Sequence, residues 1–209
     1  MAEGMRFRTI WREPDGRAVG IVDQTALPHA LVRVRLGTLA DAERAIADMQ
    51  VRGAPLIGAT AAYGLALAVA ADPSDDAIAA ARSVLAATRP TAINLAWALA
   101  RVARAILPLP EGERADAAYA EADRIAEEDV AINGAIGEHG LALVRDAAAR
   151  KPAGAPVRIL THCNAGWLAT VDWGTATAPI YKAHAAGTPL HVYVDETRPR
   201  NQGASLTAV

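Results

Sequence analysis

The sequence predicts an α/β protein in which a small antiparallel sheet and a helical domain come first and a parallel α/β unit begins last. Three observations carry this. Short β-type runs surround a turn signal before residue 37, capped helical runs rich in small residues fill the middle, and a strand–helix–strand pattern closes the chain. The 209 residues are 52% hydrophobic and 21% charged, a composition that supports one or two domains with real cores. The run Lys151-Pro152-Ala153-Gly154-Ala155-Pro156 reads as a linker, so residues 1–150 and 151–209 are expected as separate domains.

The expected meander uses Met5–Trp11 and Arg17–Asp23 around Glu13-Pro14-Asp15-Gly16, which has strong turn chemistry, followed by Leu31–Leu36 with the partial alternation of a half-buried strand. Thr38 can cap a helix over Leu39–Met49, with Asp41 three residues on to close a capping box. Pro55 suits the first turn of the next helix. Gly58, Ala59, Ala61, Ala62 and Gly64 leave room there for neighbouring backbones. A third helix starts at Asp72-Pro73-Ser74 and should stop near Thr88, because the position before Pro90 disfavours the α region. A fourth covers Thr91–Leu107. Glu113–Arg150 is too long for one ordinary helix, and Gly134, Gly137 and Gly140 are expected to bend or divide it. Strand Val157–Leu160, a helix over Thr175–Ala186 and strand His191–Val194 then form a parallel, right-handed crossover, the beginning of a Rossmann-like domain. Two strands do not make a stable open sheet alone, and a further helix opens near Ala204, so this domain is expected to be incomplete.

A net charge of -2 gives no electrostatic case for a nucleic acid or an acidic membrane surface. One cysteine cannot form an intrachain disulfide, which makes a reducing cytoplasm the expected compartment. No signal peptide is expected, and the longest apolar stretch, Pro55–Ala71, is shorter than the ~20 residues of a spanning helix and reads as a buried one.

Ligands of parallel α/β sheets gather beyond the carboxyl ends of the strands. Two polar loops leave those ends here: Thr161-His162-Cys163-Asn164-Ala165-Gly166 and Asp195-Glu196-Thr197-Arg198-Pro199. Cys163 there could be a nucleophile, an acid–base group, a metal ligand or a small inert residue; free cysteines are commonly inert. Zinc is disfavoured, since one cysteine and scattered histidines lack paired ligand spacing. His162 should face away from Cys163 and serve the loop. Arg52 precedes a helix in a glycine-containing loop, where a guanidinium and helix N-terminal amides suit a phosphate; Arg89 is placed similarly, and either could equally be a surface arginine beside a turn. No G-x-G-x-x-G fingerprint indicates a dinucleotide.

Asp23-Gln24-Thr25, Val51-Arg52-Gly53-Ala54-Pro55, Arg89-Pro90-Thr91-Ala92-Ile93-Asn94-Leu95, Thr161–Gly166 and Asp195–Gly203 occur in order, and together they closely resemble the methylthioribose-1-phosphate isomerase family. The resemblance implies an aldose–ketose isomerase of methionine salvage that converts 5-methylthioribose 1-phosphate into 5-methylthioribulose 1-phosphate. It implies Cys163 as a catalytic residue and Arg52, Gly53, Ala54, Arg89 and Gln202 as substrate-binding residues, chiefly for the phosphate. It further implies a homodimer with no metal or organic cofactor, similar in fold to the regulatory subunits of the translation-initiation exchange factor and to ribose 1,5-bisphosphate isomerases.

The sequence departs from that family's pattern. The family's second catalytic residue is an aspartate in a D-R-I-A-x-N-G-D segment, followed by an Asn-Lys pair, and neither occurs in these residues. Asp123-Arg124-Ile125-Ala126 matches only its beginning and lies in the helical part. Trp167 and Asp172-Trp173 stand in a loop that is usually smaller and richer in glycine, and Leu206-Thr207-Ala208-Val209 replaces a continuation that normally carries tryptophan. The chain alone is therefore expected to be weakly active or inactive. A ribose 1,5-bisphosphate isomerase and a non-catalytic regulatory or binding subunit of the same fold are the alternatives.

Overall fold

The computed structural model describes residues 8–208, so the first three residues of the expected Met5–Trp11 strand lie outside the described residues, as does Val209. Strands β1 (Ile10–Arg12), β2 (Val19–Asp23) and β3 (Val32–Leu36) form the expected antiparallel meander in the order β1-β2-β3. Ile10 faces Ile21 and Val22 faces Arg33 across the two ladders. The Glu13–Gly16 turn closes with Gly16 N donating to Glu13 O at 2.9 Å, and Gly16 supplies the φ of 68° that this turn requires. β2 is the central strand, buried from Val19 to Val22 on both faces. β3 is one edge of the sheet and keeps the expected partial alternation: Leu36 is buried and Val34 packs against the core, while Arg33 and Arg35 are exposed.

Five helices follow. α1 (Leu39–Ala47) carries the predicted capping box, with Asp41 N donating to Thr38 Oγ1 at 3.2 Å and Thr38 N to Asp41 Oδ2 at 3.0 Å. α2 (Ala54–Ala71) has proline in its first turn and is the hub, packed against α1, α3 (Asp75–Thr88), α4 (Ile93–Ile106) and α5 (Glu111–Ala149). Its small residues explain that density. A Cβ on Gly58 would stand 3.0 Å from Asn94 O, and one on Gly64 only 2.8 Å from the Ala42 Cβ. Among the described residues α2 is the one helix long and apolar enough to cross a bilayer, and 72% of it lies inside the fold. A core helix meets the same criterion of length and composition, which agrees with the sequence reading.

The division expected in the long helical stretch is absent. α5 runs unbroken for 39 residues, through all three glycines that were expected to bend or divide it. Those glycines are packing sites: a Cβ on Gly137 would meet Lys182 Cε at 2.6 Å, and one on Gly140 would meet Pro179 Cγ at 2.3 Å. Tertiary packing against α6 (Ala178–Ala185) outweighs glycine's roughly 1 kcal/mol helix penalty.

β4 (Val157–Thr161) and β5 (Leu190–Val194) pair in parallel, with Val157 opposite Leu190 and Thr161 opposite Val194, and α6 connects them. One face of this pair is open: Leu160 and Tyr193 are 65% and 49% exposed. Between β4 and α6 the chain makes a single 3-10 turn over Trp167–Ala169 and docks on the first part of the molecule. Val171 joins the main core, while Leu168 packs with Val22 and Leu206 in a second, smaller cluster. Thr9 Oγ1 donates to Thr170 O at 2.6 Å, Gln24 Nε2 to Leu168 O at 2.6 Å, and Val171 N to Asp129 Oδ2 at 2.7 Å. Three separate segments of the chain therefore hold this one loop.

Candidate active site

The parallel register brings the two predicted loops to one rim. Asp195 N donates to Thr161 O at 2.9 Å, continuing the ladder one step beyond the strands. Past that point the first loop turns sharply at Cys163, whose φ of 66° lies in the left-handed region that non-glycine residues seldom occupy. The turn is held from the far end of the chain: Thr207 Oγ1 donates to Cys163 O at 2.7 Å. The thiol is exposed, and its S–H donates to Gln202 Oε1 at 3.7 Å. The backbone just after Gln202 is held by Glu196, which accepts from Gly203 N and Ala204 N at 3.1 Å each. Gly203 has to be glycine, since a Cβ would lie 2.3 Å from Asp195 O. A five-residue π-helical turn, Gly203–Thr207, stands where a helix was expected from Ala204.

His162 does not approach the thiol as a base partner. Its Nδ1 lies 3.7 Å from Asp195 Oδ2 on the exposed side of the rim, which ties the two loops together.

Arg52 reaches the same region from the other part of the chain. Gly53, with φ of 95°, is the N-cap of α2, and a Cβ there would meet Ala169 O at 2.3 Å. The Arg52–Gly53 loop thus abuts the 3-10 turn that follows the Cys163 loop. Arg52 Nε donates to Met49 O at 3.3 Å and Nη2 to Gln24 O at 3.2 Å. Its Nη1 is shielded from solvent with no hydrogen-bond partner among the described residues. Burial, and then the positive charge of Arg200, lower the Arg52 pKa, with Asp23 opposing. A half-buried cation with a shielded free donor beside a second cation is an environment that an anion would relieve.

Of the predicted set, Cys163 touches Gln202, and Gly53 and Ala54 present the start of α2 beside Arg52. Arg89 is not joined to them: it ends α3, half-exposed, and among the described residues no hydrogen bond or ion pair links it to the others. Asp123 is occupied elsewhere, accepting from Tyr63 Oη at 2.8 Å and facing Arg12, so its partial match to a catalytic segment corresponds to a helix-packing role. Trp173 stacks under Lys182 Nζ, 4.2 Å from the ring centroid, and fills the space left by Gly134. Sequence reasoning passed over Arg200 and Thr207. Arg200 was visible as a second arginine two residues before Gln202, whereas nothing local marked Thr207.

Comparison with known proteins follows the same architecture. Over 206 residues, 99% of this chain, the sequence is 62% identical to a methylthioribose-1-phosphate isomerase of Methylocella silvestris, of which it covers 56%. It is 64% identical over 205 residues to the enzyme of the same name from Paramagnetospirillum magneticum, covering 98% of this chain and 56% of the relative. The chain therefore spans a little over half the length of these curated relatives. Two crystal structures superpose with a TM-score of 0.82 each. The translation initiation factor eIF-2B subunit delta from A. fulgidus is 37% identical and matches 97% of this chain and 58% of its own. The 5-methylthioribose 1-phosphate isomerase from Pyrococcus horikoshii is 36% identical and matches 96% and 56%. The profile of the Initiation factor 2 subunit family matches residues 50–209, from the Arg52 loop through both strands of the rim, and the chain belongs to that family.

Proposed function

We propose that this chain carries the thiol-bearing and phosphate-binding side of an aldose–ketose isomerase site that converts 5-methylthioribose 1-phosphate into 5-methylthioribulose 1-phosphate in methionine salvage. The observation that carries the reading is the contact of Cys163 Sγ with Gln202 at 3.7 Å, on a rim followed by the 3-10 turn that the Arg52 loop abuts. Its support outside the site is the near-full-length similarity to isomerases of that name.

In this reading Arg52, the Gly53–Ala54 helix start, Gln202 and Arg89 bind the phosphate end, and Cys163 is a catalytic residue. The furanose ring of the substrate masks the aldehyde, so a proton must reach the ring oxygen as the ring opens. One hydrogen then moves from C2 to C1 while the C2 hydroxyl gives up its proton; the net reaction consumes no oxidant. A thiol beside a polar amide can give or take one of these protons. Exclusion of water would protect the open-chain intermediate. The same reading takes residues 1–150 and 151–209 as two domains, the second Rossmann-like, in a cytoplasmic homodimer that needs no metal or organic cofactor.

The likeness to eIF-2B subunit delta supports a second reading, a non-catalytic subunit of the same fold. The test is an assay of methylthioribose 1-phosphate and ribose 1,5-bisphosphate turnover by the chain alone and joined to the remaining portion of the Methylocella silvestris relative. Ketose formation from the first substrate by the joined protein is expected. Turnover of ribose 1,5-bisphosphate alone would move the assignment to that class of isomerase, and no turnover of either sugar would favour the non-catalytic subunit.

A further inference from the structure

Asn164 follows Cys163 on the rim, and both ends of its carboxamide, Oδ1 and Nδ2, are shielded from solvent with no hydrogen-bond partner among the described residues. This is an unusual state for a buried amide, because an unmade hydrogen bond carries the full desolvation penalty of the group, and native proteins pair the large majority of such atoms. Two hydroxyls share it. Thr161 Oγ1 ends β4 and Thr197 Oγ1 lies three residues beyond β5, and each is shielded and unpartnered among the described residues. Thr161 itself is buried to 6% exposure. The main chain of the rim is by contrast well paired: Cys163 O accepts from Thr207, Ala165 O from Thr177 N, and Thr161 O from Asp195 N. The backbone is fixed while three neutral polar side chains are left over.

The chemistry of these groups separates them from the phosphate end. At neutral pH a sugar phosphate monoester is mostly a dianion that accepts hydrogen bonds, so it suits Arg52 and Arg200 and would be repelled by the Asn164 carbonyl oxygen. A carboxamide both donates and accepts, which matches adjacent hydroxyls on a sugar. We infer that Asn164, assisted by Thr197, binds the ring-carbon hydroxyls of the substrate and so distinguishes a sugar phosphate from phosphate alone. This rests on the proposal that a sugar 1-phosphate occupies the site beside Cys163.

The chain has one cysteine, so alkylation of Cys163 by iodoacetamide reports occupancy of the rim without any turnover. Protection of the 209-residue chain is measured with methylthioribose 1-phosphate, 2-deoxyribose 1-phosphate and inorganic phosphate. In the unsubstituted chain methylthioribose 1-phosphate is expected to protect at the lowest concentration. Asn164→Ala should weaken its protection about tenfold or more, the scale of one lost hydrogen-bonded anchor, and leave inorganic phosphate within about twofold. Asn164→Ser, which keeps a short neutral donor and acceptor, and Thr197→Val, which keeps the shape, should fall in between; they carry the test if the alanine variant unfolds. Equal protection by methylthioribose 1-phosphate in the unsubstituted chain and all folded variants overturns the inference alone. If that sugar phosphate protects the unsubstituted chain no better than inorganic phosphate does, the inference falls together with the isomerase proposal.

Discussion

The core around α2 and the rim beyond β4 and β5 are built by opposite rules. In the core, the glycine gaps of α2 are filled by neighbours, and Leu56, Leu65, Ile78, Leu85 and Leu95 are at most 1% exposed. At the rim, Cys163 holds a left-handed backbone, and Thr161, Asn164 and Thr197 have shielded polar atoms without partners among the described residues. Arg52 stands between the two, just before the α2 start and within electrostatic reach of Arg200. Stability is concentrated where the surface is complementary, and chemistry is available where it is not.

The largest expected effect belongs to the rim. Cys163→Ser should lower kcat of an active form by about 100- to 10,000-fold, the range of a lost acid–base group, while its thermal midpoint stays within about 2 °C. Rate and melting curves measured on one preparation check both halves, and a large loss of stability would place Cys163 among the packing residues. The core should answer the other way. Leu65→Ala removes a fully buried side chain and should cost about 2–5 kcal/mol, seen as a lower urea midpoint, with Cys163 alkylation in the folded chain unchanged.

Smaller effects sharpen the contrast within one helix. A methyl group added at Gly112 would have nothing within 4 Å, whereas the same methyl on Gly140 would overlap Pro179. Gly112→Ala should therefore stabilise by about 0.5–1 kcal/mol and Gly140→Ala destabilise by about 1–3 kcal/mol, both read from chemical denaturation. Equal signs would mean that α5 and α6 pack less tightly than described. The smallest effect concerns Asp129, which joins α5 to the loop before α6. Burial raises its pKa above the ordinary carboxylate value, the Asp172 charge adds to the rise, and hydrogen bonds from Val171 N and Asn133 offset part of it. The native state therefore binds this proton more readily than the unfolded chain. Ionisation thus costs the native state more than the unfolded chain, and that penalty is relieved as pH falls through the raised folded pKa towards the unfolded value near ~4. Relative to Asp129→Asn, the unsubstituted chain should gain stability between pH ~7 and pH ~4.5. Urea midpoints of the pair at both pH values check the sign.

Much of this architecture was legible because it is encoded over a few residues. Thr38 with Asp41, Pro55 in a first turn, and Ser74 before α3 are local rules that the structure follows. The shared rim was legible as well, since parallel pairing alone carries both polar loops to one side. The continuity of α5 was not, because Gly134, Gly137 and Gly140 act as helix breakers locally and as packing sites only once Trp173, Lys182 and Pro179 arrive. The clasp of Thr207 on Cys163 spans 44 positions and leaves no local pattern. Asn164 stands within the Thr161–Gly166 motif, but its unpaired state belongs to the folded chain.

α5 has one more consequence. At 39 residues it is a rod about 58 Å long, whose first half lies against α2 and α4 and whose second half carries α6. A tilt of about one degree over that length displaces its far end by about 1 Å, which is the scale on which reacting groups gain or lose alignment. The stiffness of this helix thus bears on how α6 and the loop before it sit against the α2 core, alongside the direct hold of Thr9 and Gln24 on that loop. The molecule keeps its alignment with a strut.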